Sequence, residues 1–215
     1  MVARPLPLRY ICVMKLALFG ATGRTGRLLL RQALDAGHSV TALVRDRDKI
    51  TTLHKKLRVL EGDVRDFGAV ERAINGADAV LSTLGHRGLL PSTLVSEAVS
   101  HMVTIMERSH VKRIVTVASS GIMGESGLGM FLNVALASSQ ADHRRQFQLL
   151  RDSDLDWTVV RPVVLTNGPQ RGKYRVVKKG VPRRGFFISR ADLAHFMLKC
   201  AVGGKHLKSS PAVAY

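Results

Sequence analysis

The stretch FGATGRTG, residues Phe19 to Gly26, places Gly20, Gly23 and Gly26 at every third position, where an apolar run ends and a helical pattern begins. Glycine at such a junction lets the chain turn tightly and lets a phosphate approach the backbone. The start of the following helix then offers N–H groups and a partial positive charge. That is the chemistry of holding a pyrophosphate. A glycine turn without a ligand needs only the same spacing. The position after a strand and before a helix, in the first βαβ unit, favours the binding reading. The spacing is Gly-x-x-Gly-x-x-Gly rather than Gly-x-Gly-x-x-Gly. Gly20, Thr22, Gly23, Arg24, Thr25 and Gly26 are the candidate contacts.

The next chemistry-bearing stretch is LVRDRDK, at the end of the second apolar run. An acidic residue there holds the ribose 2′-hydroxyl of NAD, whereas an arginine suits the 2′-phosphate of NADP. Arg45 stands at that point, and Arg24, Arg47 and Lys49 add positive charge nearby. Asp46 follows directly and argues for NAD. Paired hydrogen bonds from a guanidinium to phosphate favour NADP. A solvated turn is the other reading of Arg47 and Lys49. Further along, GDVRD carries Asp63 and Val64, and TLG carries Leu84 and Gly85. Asp63 would accept from an adenine amino group or serve as a turn residue. Gly85 would let the backbone approach the ribose and nicotinamide. Pro162 closes the sixth predicted strand and is a further cofactor candidate.

These residues need elements to position them. Short apolar runs predict strands over Lys15–Phe19, Ser39–Val44, Leu57–Asp63, Asp78–Gly85, Lys112–Ser120 and Leu155–Pro162. Helical spacing predicts helices from Arg24, with Leu28, Leu29, Gln32, Ala33 and Ala36 near one face, and over Asp66–Ala77, Pro91–His110, Ala141–Ser153 and Ser189–Val202. Asp66 and Ser189 are candidate caps, and Pro91 falls near a first turn. Alternating strands and helices imply an α/β fold: a Rossmann-type, doubly wound parallel sheet in a single domain, with a small substrate-loop region. Gly121 to Gln140 reads as a long loop rich in Gly, Met and Ser, and loops of that length usually carry function.

The chain has 215 residues, enough for one sizeable core, and its 46% apolar share is that of a globular protein. No stretch is long and apolar enough to predict a membrane span. The first residues combine basic and apolar character, but Lys15 interrupts the run, and cleavage there would remove the strand the glycine loop needs. Residues 1–13 therefore read as an N-terminal extension, either disordered or a start mis-assigned ahead of Met14, and 14–215 as the nucleotide-binding domain. Net charge is +17, from 33 basic and 16 acidic residues. Aromatics are only 5% and the basic residues are spread along the chain, so a solvated basic surface is favoured over nucleic-acid binding. Two cysteines, Cys12 and Cys200, give no disulfide framework and no metal-ligand spacing. A reduced, cytoplasmic setting is expected.

FGATGRTG, VTALVRD, GDV and TLG, in that order, resemble the atypical short-chain dehydrogenases that include NmrA-like proteins. SRADLAHFMLKC, the terminal Tyr215 and TLVSEA are similar to the biliverdin reductase B, or flavin reductase, group within them. The resemblance runs from Met14 onward. It implies a monomeric or weakly dimeric NADPH-dependent reductase of planar acceptors such as FMN, FAD or quinones, with flavin a substrate rather than a bound group. Ser119 matches the family's active-site serine, with Ser120 a close competitor. The group's histidine after the sixth strand is replaced here by Val163 and Val164. That departure weighs against tetrapyrrole reduction and leaves flavin reduction open. YRVVK, Tyr174 to Lys178, imitates the Tyr-x-x-x-Lys pair of typical members but falls in a predicted strand and turn after the sixth strand. His86 and His143 are open between pocket and surface roles. Met123, Met130, Phe131 and Leu132 are open between covering a flat ring and packing in the core. The alternative reading is a non-catalytic NADP-binding sensor of the NmrA type. A sugar-nucleotide epimerase or dehydratase fits less well, because the chain is short for that and lacks the Tyr-Lys pair.

Overall fold

The computed structural model describes residues 13–85, 92–118 and 130–215, with residues 130–139 as backbone only. The predicted extension before Val13, together with His86, Pro91, Ser119, Ser120 and Met123, lies outside the described residues, as do the side chains of Met130, Phe131 and Leu132.

The four apolar residues of β1 (Lys15–Phe19) are buried, and Lys15 at its start is exposed. A strand buried on both faces belongs in the middle of a parallel sheet. It pairs in parallel with β2 (Ser39–Val44) on one side and β4 (Ala79–Ser82) on the other. β3 (Leu57–Glu61) extends the sheet beyond β2, while β5 (Arg113–Val117) and β6 (Asp156–Pro162) extend it beyond β4. The order β3-β2-β1-β4-β5-β6 continues into β10 (Ala212–Ala214), parallel to β6, and β8 (Arg175–Val177), the antiparallel edge. β7 (Val164–Thr166) and β9 (Phe187–Ser189) form a separate parallel pair.

Alternate residues of each strand feed alternate faces. Leu16, Leu18, Val40, Ala42, Val115 and Val160 pack against α1 (Arg24–Asp35) and α5 (Arg190–Gly203). Ala17, Phe19, Leu43, Val80, Ile114 and Val159 pack against α2 (Phe67–Ile74), α3 (Leu94–Arg108) and α4 (Met130–Arg151). Helices on both faces of one mostly parallel sheet make a single Rossmann-like domain, as the sequence predicts.

Asp66 caps α2 by accepting from the Gly68 N–H, and Ser189 caps α5 by accepting from that of Asp192. The predicted long loop is corrected: α4 begins at Met130, so half of Gly121–Gln140 is helix. The buried face of α1 is Gly26, Leu29, Leu30, Ala33 and Leu34, displaced from the predicted stripe, because α5 packs across this helix. The short strands β7, β9 and β10 carry no run long enough to be read in the sequence. β8 occupies the RVV of the stretch read as a strand and turn.

Charge is also used internally. Arg161 is fully buried and donates to the carbonyls of Ser210, Lys178 and Gly180. Arg113 donates to Cys200 O, Asp156 O and Thr158 Oγ1. Two arginines thus satisfy strand ends and the C-terminal segment instead of the surface.

Candidate functional site

The sheet order reverses between β1 and β4, where an open α/β sheet forms its ligand crevice. Gly20 follows β1 with φ +83°, a left-handed conformation that favours glycine. A Cβ on Gly20 would also lie 2.8 Å from Thr83 Oγ1. That hydroxyl donates to Phe19 O at 3.3 Å and Gly20 O at 3.2 Å, so the residue after β4 fixes the bend after β1. The Gly23 N–H closes the turn on Gly20 O at 3.0 Å. A Cβ on Gly26 would stand 2.0 Å from Gly20 O, so α1 could not approach the turn with any side chain there.

Gly23 is the N-cap of α1, with no side-chain cap hydrogen bond and no acidic residue in the first turn. The donors that a capping Ser or Asp would occupy are left facing the crevice. The loop thus has the form of an anion cradle.

The cleft above this cradle has a volume of about 710 Å³. It gathers Gly20, Thr22, Gly23, Arg24, Thr25, Arg45, Lys49, Val64, Leu84 and Gly85. Three other candidates lie apart from its lining. Gly26 sits beneath the loop. Asp63 accepts from the Arg65 N–H at 2.9 Å in a turn leading to α2. Pro162 ends β6 and is buried.

At the end of β2 the two predicted alternatives separate. Asp46 caps the short turn Arg47–Lys49 and pairs with Lys49 Nζ at 2.6 Å. The Lys49 ammonium holds its carboxyl below the usual range. Arg45 is exposed on the cleft wall, with no carboxylate paired to it among the described residues.

The structure adds residues that sequence reasoning missed. Arg190, the first residue of α5, lines the same cleft as Arg24. The signal available was the predicted Ser189 cap, which places Arg190 at a helix start, but nothing local tied that helix to the glycine loop. Arg27, Thr83 and Leu94 also line the cleft.

Tyr174 does not reach the site. Its hydroxyl meets His195 Nδ1 at 3.1 Å on the face of α5, and burial, with Asp192 and Cys200 nearby, pushes its pKa up to about 12. A proton donor and acceptor for neutral pH needs the opposite shift. His143 is buried on α4, outside the cleft lining. Nearby, Gln146 Nε2 donates to Thr116 Oγ1 at 2.7 Å and Val117 O at 3.3 Å, fixing the end of β5 just before Ser119. Cys200 is a free, buried thiol, pushed up to about 11 by that burial. Cys12 lies outside the described residues. Among the described residues no group of His, Cys, Asp or Glu could hold a metal ion, and no helix is long and apolar enough to cross a membrane.

Comparison with known proteins agrees with this geometry. The chain is 26% identical over 198 residues to the uncharacterized protein YwnB of Bacillus subtilis, covering 84% of this chain and 89% of that one. It is 34% identical over 108 residues to isoflavone reductase homolog P3 of Arabidopsis thaliana, covering 46% of this chain and only 33% of that protein. In fold it matches ChuY, an anaerobillin reductase from Escherichia coli O157:H7, with a TM-score of 0.79 at 24% identity over 93% of this chain and 96% of that one. It also matches a short-chain dehydrogenase/reductase from Veillonella parvula in complex with NADP, with a TM-score of 0.73 at 19% identity over 94% of both chains. The family profile described as NAD(P)H-binding matches residues 20–202, a span that takes in the glycine loop, the cleft and α5, and the chain belongs to that family.

Proposed function

We propose that this protein is an NADPH-dependent reductase of a flavin or a similar planar, quinoid acceptor. The observation that carries the cofactor choice is the end of β2: Arg45 and Lys49 line the cleft while Asp46 is committed to its own turn. A 2′-phosphate would meet the Arg45 guanidinium there, beside the Lys49–Asp46 pair, and among the described residues lining the cleft there is no carboxylate for a 2′-hydroxyl. The reductase class draws support from the isoflavone reductase homologue and from ChuY.

Bound NADPH would supply the hydride, and a planar acceptor would take it with a proton from water. The chain's own work is positioning. The α1 N-terminus and Arg24 would hold the pyrophosphate, Gly85 would leave room for the nicotinamide ribose, and Val64 and Leu84 would supply apolar contact. Asp63, in the turn after β3, would accept from the adenine amino group, and Pro162, buried at the end of β6 and apart from the cleft lining, is a further cofactor candidate. Ser119 is assigned to the nicotinamide amide or the acceptor. Flavin is a substrate here, not a resident group. The protein would act in a reducing, cytoplasmic setting as a monomer or weak dimer.

NADPH oxidation measured anaerobically with FMN, FAD and a quinone, with NADH alongside, tests this reading. Turnover above the enzyme-free rate, with NADPH preferred, supports it. Arg45→Ala should weaken NADPH binding at least about tenfold while leaving NADH nearly unchanged. Equal losses for both would refute the NADP assignment.

One observation favours a second reading. The only Tyr-x-x-x-Lys match in the chain, Tyr174 to Lys178, is turned to α5 rather than the cleft. A non-catalytic NADP-binding sensor needs no such pair. Tight NADPH binding without reduction of any acceptor would move the assignment there.

A further inference from the structure

Arg24 and Arg190 are the first residues of α1 and α5. A helix start is the positive end of the helix dipole and normally attracts acidic side chains. Both positions are occupied by the opposite charge, and both side chains line one cleft. Among the described residues neither forms an ion pair with a carboxylate. The nearest acid in the first turn of α5, Asp192, is fully buried and already accepts from the N–H groups of Arg171 and Gly172, the Tyr215 hydroxyl and the Ser189 hydroxyl.

Arg190 is also built in place. Its Nη1 donates to Asn167 Oδ1 at 2.7 Å and Leu165 O at 3.2 Å, both uncharged acceptors. Burial, and then the Arg24 charge, lower its pKa. Two guanidiniums and the open N–H groups beyond Gly23 therefore meet at one cleft whose lining, among the described residues, carries no carboxylate, Asp192 being buried and spent on its own partners. An anion bearing more than one charge could pair with both guanidiniums at once.

We infer that Arg190 is the second arm of a pyrophosphate grip, closing on the dinucleotide from the α5 side while Arg24 and the glycine loop hold it from the α1 side. The inference rests on the NAD(P)H reading above and adds to the glycine loop the start of α5, the helix packed against α1. The proposed 2′-phosphate end, at Arg45 and Lys49, follows β2 rather than belonging to α5. Arg190 should therefore serve NADH and NADPH equally.

The test is a set of binding titrations with NADPH, NADH and ADP-ribose against wild type, Arg190→Gln and Arg190→Lys, each with melting curves in the absence and presence of ligand. Arg190→Gln should weaken all three ligands by a similar factor, about tenfold or more, and Arg190→Lys should recover part of the loss. The ligand-induced rise in melting temperature should shrink in Arg190→Gln relative to wild type, each measured against its own ligand-free protein, so that the lost bonds to Asn167 and Leu165 cancel from the comparison. Unchanged binding overturns the inference. So does a loss confined to NADPH, which would assign Arg190 to the 2′-phosphate. Wild type that binds none of the three ligands would refute the underlying NAD(P)H reading as well. Wild type that binds them alongside an equally competent Arg190→Gln protein would refute this inference alone.

Discussion

The first βαβ unit and the C-terminal segment after β6 both contribute to the cleft and are held by different means. Around Gly20, Gly23 and Gly26 the chain is held by backbone meeting backbone: Gly23 N–H on Gly20 O, Thr83 N–H on Phe19 O, and α1 pressed so close that a methyl at Gly26 would overlap Gly20 O. Around Asp192 the chain is held by side chains. That one carboxylate gathers Arg171, Gly172, Ser189 and Tyr215, and so ties the loop after β7, the start of α5 and the chain terminus together. Tyr215 OH also accepts from the Ser189 N–H at 3.2 Å. A close backbone approach excludes every side chain but hydrogen and leaves glycine at fixed spacing. A polar knot can be tied by several residue types from distant positions, and leaves almost no local pattern.

Substitutions separate the two modes. Gly26→Ala should have the largest effect, because the atom it meets is backbone and cannot move without opening the turn. A loss of about 4 kcal/mol, in the exceptional range for a point change, is expected in denaturant unfolding, together with loss of nucleotide binding. Gly23→Ala supplies the contrast. Its φ is −75° and its nearest clash is 3.2 Å, so the cost should stay within about 1 kcal/mol. Equal costs at the two positions would show that the loop yields as a whole, and would break the argument from close approach.

In the knot, Asp192→Ala should cost about 3 kcal/mol, because the Arg171 and Gly172 N–H groups and the Tyr215 hydroxyl lose a shared acceptor. The pH dependence sharpens this. Burial alone would raise the Asp192 carboxyl, but hydrogen bonds from Tyr215, Gly172, Arg171 and Ser189 outweigh it and hold it low. A carboxyl lowered by folding stabilises fully above its unfolded value, about 3.9, and loses that contribution as pH falls through the lower folded value. Asp192→Asn should therefore flatten the stability profile below about pH 4, where wild type declines. An unchanged acid limb in the variant would place the protein's acid sensitivity at other carboxyls.

This difference also explains what the sequence discloses. The strands β1 and β2 are legible residue for residue because buried parallel strands need unbroken apolar runs. The glycine turn, the Asp66 and Ser189 caps and most of the cleft's first wall are legible because each rests on neighbours in sequence. Arg190 and Asp142 are not. Asp142 lies on α4 and accepts from the N–H groups of Val95 and Ser96 at 2.9 Å, serving as the N-terminal cap that α3 lacks in its own sequence. Nothing within α3 or α4 encodes that meeting; the packing of one helix on the other does. Asp142→Ala should cost about 1 to 2 kcal/mol, the scale of a lost helix cap, and should increase hydrogen exchange at Val95 and Ser96. Exchange that rises across α4 instead would mean Asp142 anchors its own helix.

The smallest effect expected is at Tyr174. The residue lies in the one stretch that imitates a catalytic pair, so sequence pattern and structure disagree most sharply here. In the structure its ring packs edge-on against His195 and Phe196, and its hydroxyl meets a single partner, His195 Nδ1. Tyr174→Phe keeps the ring and removes one half-buried hydrogen bond, so stability should fall by no more than about 1 kcal/mol. A hydroxyl held near 12 by burial stays protonated through neutral pH, so nucleotide binding and any turnover should keep their wild-type pH profiles. A variant that binds NADPH normally yet loses a basic limb in its rate profile would return Tyr174 to the chemistry. It would also require β8 to swing its Tyr end from α5 toward the nicotinamide, a rearrangement that the antiparallel pairing of β8 with β10 opposes.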